Sequence, residues 1–256
     1  MNQEKQEIDS PIETSDAKET REFLAQKVQE FSDKLAALPK VVASMEKARV
    51  LLDLANAELG MTQMSDVWNH AKEAFDICIA NEEWQIAIEA CDLLYQTELP
   101  SSIVALGHGV WLSVTYPVEP EYTINMLNYV INETPDDADG AALAAVTAHF
   151  IVDHRTEGRK KEDLKVITGN MIAKVAERHS KVETQMGLDV WMDKLELRDP
   201  DVFLPRMGLV VGAIVGDGNW WFDRDELRAG WLIVDFVAME GAFKVHIFRF
   251  YTIGQQ

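Results

Sequence analysis

Pro100 and Pro135 lie 35 residues apart, and each closes a similar pair of short helical patterns. Proline lacks a backbone N–H and disfavours helix in the residue before it, so each one is a stop signal. Shifting the first unit by 35 positions sets Ala71 on Leu106, Phe75 on Val110, Cys91 on Met126 and Leu94 on Tyr129, apolar on apolar. A period in this range belongs to helix-turn-helix units that cannot bury an apolar face alone and therefore stack. The expectation is a mainly α fold, antiparallel helical hairpins stacked as a short array. Such arrays make groove-shaped surfaces, which hold other proteins more often than they form active sites.

The apolar spacing predicts the individual helices. Phe23, Leu24, Val28, Phe31, Leu35 and Leu38 form one stripe of a first helix that begins near Asp16 and ends at Pro39. A second runs from about Pro39 to Leu59, with Gly60 as its cap. Ser65 or Asp66 is expected to cap a third after a long 61–66 loop, and Asn81 breaks it. Trp84 to Tyr95 makes a fourth. Ser101 or Ser102 opens a fifth that the Tyr116-Pro117 step ends, and Pro120 opens a sixth. Asp139 caps a seventh, alanine-rich one. Further helices are expected at about 161–179 and 182–197, and from Asp199-Pro200 to about Val215. After a Gly-Asp-Gly-Asn turn, Asp223 caps a short charged helix with Glu226 three residues on, the spacing of a capping box.

Four regions follow: a disordered acidic tail at 1–20, a helical-repeat domain at 21–155, a second helical segment at 156–229 and an aromatic C-terminal tail at 230–256. The first 20 residues hold six acids, two lysines and a proline, too little apolar surface to fold alone. The last region reads as a small β element, with strands at about 231–237 and 243–251 around Met239-Glu240-Gly241.

Within residues 46–155, Glu83-Trp84, then Ala87-Ile88-Glu89-Ala90, then Pro100, resembles the tetratricopeptide repeat family. The match is to the start of that family's second helix, its small residue and its closing proline. Tyr122 departs from it, standing in the second unit where the family has a small residue. The resemblance implies a groove lined by the first helix of each hairpin, and hence a peptide-facing role for His108 and Trp111.

The net charge is -19, from 43 acidic and 24 basic residues. A phosphate backbone or an anionic bilayer is repelled by such a chain, so nucleic acid and membrane are poor partners and a basic protein is a favoured one. The N-terminal stretch has no apolar run of signal-peptide type, and the longest uncharged apolar run, Met207 to Val215, is too short to span a bilayer. A cytoplasmic protein is expected. Cys78 and Cys91, 13 residues apart on apolar helix faces, are expected to be buried free thiols.

No catalytic signature stands out. His149 and Asp153 have metal-ligand spacing on one helix, but His154 diverges from them. The stretch from Asp217 fails as a calcium loop, with Phe222 where glycine is needed and Arg228 where a bidentate glutamate is needed. Gly208, Gly212 and Gly216 recur every four residues and suit close helix packing, not a phosphate loop. No cofactor or metal is expected.

The candidate partner-binding residues are therefore Trp68, Lys72, His108 and Trp111 in the groove, with Trp220 and Trp221 as a second patch. Trp220-Trp221-Phe222 leaves two arrangements open: an exposed anchor of the kind that dominates binding energy, or a lid folded over the array. The functional expectation is a noncatalytic protein-binding adaptor or assembly chaperone. The alternatives are a small-ligand or enzymatic module at 160–230, using Asp217, Asp223, Asp225 and His179, or a homo-oligomer joined through the glycine stripe.

Overall fold

The computed structural model describes residues 15–39 and 44–228. The expected β element at the C-terminus and most of the acidic tail lie outside them. Eleven helices follow one another among the described residues: α1 (Ser15–Ala37), α2 (Met45–Gly60), α3 (Met64–Ala80), α4 (Trp84–Gln96), α5 (Ser102–Thr115), α6 (Pro120–Glu133), α7 (Gly140–Arg155), α8 (Gly158–Ser180), α9 (Gln185–Lys194), α10 (Pro200–Val215) and α11 (Arg224–Arg228). The described part of the fold is mainly α, as expected.

Local chemistry accounts for most of the helix ends. Ser44 caps α2, its side chain accepting the Lys47 N–H at 3.2 Å. Thr184 and Asp199 do the same for α9 and α10. Pro120 and Pro200 occupy the first turns of α6 and α10, where the missing N–H costs nothing. Three expectations need correction. α2 begins at Met45 and not near Pro39, which lies outside it ahead of the Ser44 cap. Gly60 is the last residue of α2 and not its cap, and the following turn is short, Met61 to Gln63. Ser65 and Asp66 lie inside α3, which begins at Met64 with no side-chain cap.

The short turns share a device that carries no glycine. Thr62, Glu82, Glu98, Lys181 and Glu196 all have φ between 53° and 58°. The Gln63 N–H reaches back to the Glu58 carbonyl, and Glu83 to Cys78, each at 3.0 Å. These bonds close the helix end as a Schellman turn does, with an ordinary side chain in the left-handed position.

Sequential helices pack as antiparallel neighbours from α1 to α8. The even helices α2, α4, α6 and α8 also meet their next-but-one partners. On the other side, α10 lies across α5 and α7. One core runs without a break from α2 to α10. The repeat positions fall in it: Ala71, Phe75, Cys91, Leu94, Leu106, Val110 and Met126 are buried, while Tyr129 is half-buried.

Two glycines let α5 be sheathed. A Cβ on Gly107 would come within 2.5 Å of Val215 Cγ2 in α10, and one on Gly109 within 3.0 Å of Cys91 Cβ in α4. At Gly212 the close approach expected of the α10 glycines is not made, since a Cβ there would meet nothing within 4 Å. Arginines tie the helix ends together. Arg155 donates to the Ser113 and Val114 carbonyls at the end of α5, and Arg178 to Ile131 and Thr134 at the end of α6. Arg206 donates to Leu195 and to Asp139, joining the end of α9 to the start of α7.

Candidate functional site: an aromatic strap in the α3–α5 groove

The two groups of residues singled out by the sequence form one site. Trp68 and Lys72 stand one turn apart on α3, with Phe75 beyond them; His108 and Trp111 stand one turn apart on α5. The segment between α10 and α11 drops three aromatic rings between these helices. Trp221 lies at the centre. Its ring stacks on the His108 imidazole at 4.3 Å between centroids and 17° between planes, and meets Phe75 edge-on at 5.2 Å and Trp68 at 6.1 Å. The Lys72 ammonium sits 4.8 Å from the Trp221 ring, within cation–π range. Phe222 packs on Trp111 at 5.2 Å and on His108 at 5.3 Å. Trp220 meets Trp111 and His108 edge-on, with the Arg224 guanidinium 4.3 Å from its ring.

The expected second patch is therefore no separate surface. Of the two arrangements left open for Trp220 and Trp221, the lid is the one adopted. His108 is 0% exposed and Trp111 only 2%, so neither is an open groove residue in this state. Trp68, Lys72, Trp220, Trp221 and Phe222 are half-buried. The sequence reading missed Phe75, which looked like plain core, and Phe222, grouped with its neighbours but given no role. It also missed that Gly107 and Gly109 flank His108 and let α5 sink deep enough to bury it.

His108 is a neutral connector. Its Nδ1 lies 2.7 Å from the Val104 carbonyl, an acceptor only, so Nδ1 carries the proton. Its Nε2 is then the acceptor for the Trp221 backbone N–H at 3.1 Å. Burial, and after it the nearby Lys72 charge, holds the imidazole at about 4, well below the ordinary 6.5. Both nitrogens are committed, and a proton added at Nε2 would face the Trp221 N–H head-on.

The strap is held at both ends. Gly216 and Gly218, with φ of 76° and 78°, turn the chain out of α10 in a conformation only glycine adopts freely. The Asn219 amide donates to the Val215 carbonyl at 3.0 Å. Beyond the rings, the Asp223 carboxylate accepts the Asp225 and Glu226 N–H groups, the cap read from the sequence. Tyr116, stacked on Trp84, donates its hydroxyl to the Leu227 carbonyl at 3.0 Å. Beside the strap a cleft of about 450 Å3 runs along α10, lined by Trp111, Gly208, Leu209, Gly212, Trp220 and Arg224.

The other polar candidates have partners elsewhere. His149 pairs with Thr168 at 2.9 Å, Asp153 with Lys161 and Lys165, and His154 with the Phe150 carbonyl. No group of three or more metal-ligating side chains is found among the described residues. His179 is engaged by Ser180, Trp191 and Asp139 at the α7–α9 end, whereas Asp223 caps α11 beside the α3–α5 groove. The carboxylates and histidine of the enzymatic alternative thus belong to different places. Cys78 and Cys91 are buried free thiols; burial pushes Cys78 up to about 12 and Cys91 up as well, away from the reactive thiolate. No protein-family model, curated protein or solved structure matches the chain.

Proposed function

We propose that this protein is a noncatalytic protein-binding module, an adaptor or assembly chaperone of tetratricopeptide-like build, whose working surface is the α3–α5 groove. The observation that carries the reading is the seating of Trp220-Trp221-Phe222. A helical array whose groove already grips a non-helical run of aromatics has the shape and chemistry to grip such a run from a partner. Large aromatics in well-packed, water-excluding cups dominate protein–protein affinity. The chain's net charge of -19 favours a basic partner and speeds its arrival at low salt. No described helix is long and apolar enough to cross a membrane, and we place the work in the cytosol.

The test compares three full-length proteins in one affinity capture: the natural chain, a chain with Trp220, Trp221 and Phe222 replaced by alanine, and one carrying Trp68→Ala with Lys72→Glu. A protein captured more strongly by the first substituted chain than by the natural one, and lost from the last, supports the groove. The same proteins captured equally by all three would overturn it.

A second reading draws on α10. Leu209 is 56% exposed and a Cβ on Gly212 would meet nothing within 4 Å, so among the described residues this side of α10 is open to a second copy. A dimer by light scattering, converted to monomer by Gly212→Arg, would support that self-associating alternative.

A further inference from the structure

We propose that residues 217–228 are a displaceable internal ligand of the α3–α5 groove, and that the partner segment competing for the same seat is extended, carries adjacent large aromatics, and is read through a backbone N–H as well as its rings. This inference rests on the groove reading above and adds what the groove recognises and how its access is controlled.

The strap is held like a bound peptide. Its central residue makes one backbone hydrogen bond to the groove, Trp221 N–H to His108 Nε2. The rest of its grip there is ring contact: the stack on His108, the edges of Trp68 and Phe75, and the Lys72 cation. None of its three aromatic residues is fully buried. They cover side chains that are, His108 and Phe75, and these would face water if the strap left. The groove is thus stable closed or filled by an equivalent segment, and costly empty.

The hinge has the features release requires. Gly216 and Gly218 bracket the exposed Asp217 at the α10 junction, and both already occupy the left-handed region. Rotation there moves the rings without disturbing α10, whose packing on α5 and α7 lies upstream. Among the described residues the far anchors include the Asp223 cap on a five-residue helix, the Tyr116 hydroxyl bond to Leu227 and the packing of Leu227 on the core.

The same contacts define the ligand. His108 is a fixed acceptor because Val104 occupies its other nitrogen. The residue above it must present an N–H, which excludes proline. The ring of that residue must lie flat on the imidazole and within reach of the Lys72 ammonium, which favours tryptophan among the aromatics. A segment that meets these conditions replaces the strap contact for contact, so its apparent affinity is reduced by the fraction of molecules with the strap closed.

The test uses a fluorescein-labelled peptide with the sequence of Asp217 to Arg228 and reads its anisotropy against full-length proteins. The chain with Trp220, Trp221 and Phe222 changed to alanine should bind at least tenfold tighter than the natural chain. Adding Lys72→Glu should weaken that binding at least fivefold, and methylating the peptide nitrogen at the second tryptophan at least tenfold. Equal affinity for natural and alanine-substituted chains would overturn competition by the strap while leaving the groove a receptor. Binding by neither would overturn the groove reading with it, and indifference to N-methylation would overturn the backbone recognition.

Hydrogen exchange on the unmodified protein gives an arm that no substitution can spoil. The Trp221 amide should exchange at least tenfold faster than those of Val110 and Leu112, with a rate unmoved by mild denaturant. Exchange of all three in step, through global unfolding only, would overturn the displaceable strap.

Discussion

α5 and α10 cross each other, and both carry glycines inside an apolar helix, yet Gly107 on α5 and Gly212 on α10 are used in opposite ways. Gly107 sits under Val215 with no room for a single added carbon, and α5 is buried along nearly its whole length. Gly212 looks outward, with space around it and the exposed Leu209 nearby. A glycine in a helix costs about 1 kcal/mol relative to alanine. At Gly107 that cost is offset by the contact it permits; at Gly212 no contact among the described residues offsets it. The same residue type on two apolar helices therefore differs because of what the rest of the chain lays on top of it.

The sharpest way to break this contrast is Gly107→Val. The stiff, β-branched Val215 cannot step aside, and the change should destabilise by about 3 kcal/mol. A urea midpoint unmoved by it would mean that α5 and α10 do not meet as described.

Acid should act nearly as strongly on the same helix. An unfolded chain protonates His108 below about 6.5, whereas the folded chain resists until about 4. The unfolded state binds more protons in that window, so stability is full above it and falls as pH drops through it, by about 3 kcal/mol at the limit. His108→Gln, which keeps one donor and one acceptor, should remove this share of the pH dependence. Parallel stability curves for the two proteins from pH 7 to 4.5 would contradict the buried neutral imidazole.

Trp221→Ala removes a half-buried ring and should cost about 2 kcal/mol, with the loss confined to the strap and the groove beneath it. Thermal melts that shift while α7 and α8 amides keep their protection would fit. Gly212→Ala should go the other way and stabilise by about 0.5–1 kcal/mol, since the methyl meets nothing. A loss of stability there would mean that the outer side of α10 is covered in solution, and would turn attention to a second copy.

What could be read in the sequence was what local chemistry decides. Prolines at 120 and 200, the Asp223 cap and the apolar spacing set most helix boundaries within a few residues. The turns at Thr62, Glu82 and Glu98 were hidden, because their left-handed residue is not glycine and nothing local announces it. Trp68, Lys72, His108, Trp111, Trp220 and Trp221 were all legible as candidates from residue type and helix position. That they converge was not, since Trp221 and His108 are 113 residues apart in the chain. Phe75 was invisible as a site residue because a groove floor and a core have the same composition until something is seen lying in the groove.

That same separation orders events as the chain is made. Domains emerge from the ribosome at roughly 5–20 residues per second, so Trp221 follows His108 by on the order of ten seconds. α10, which roofs α5 and α7, arrives only shortly before it. A growing chain with α3 and α5 already outside the ribosome therefore presents an uncovered aromatic trough, and a segment translated well after both is the one that shuts it. The order of synthesis gives every molecule a brief interval of open binding before its own C-terminal side closes the seat.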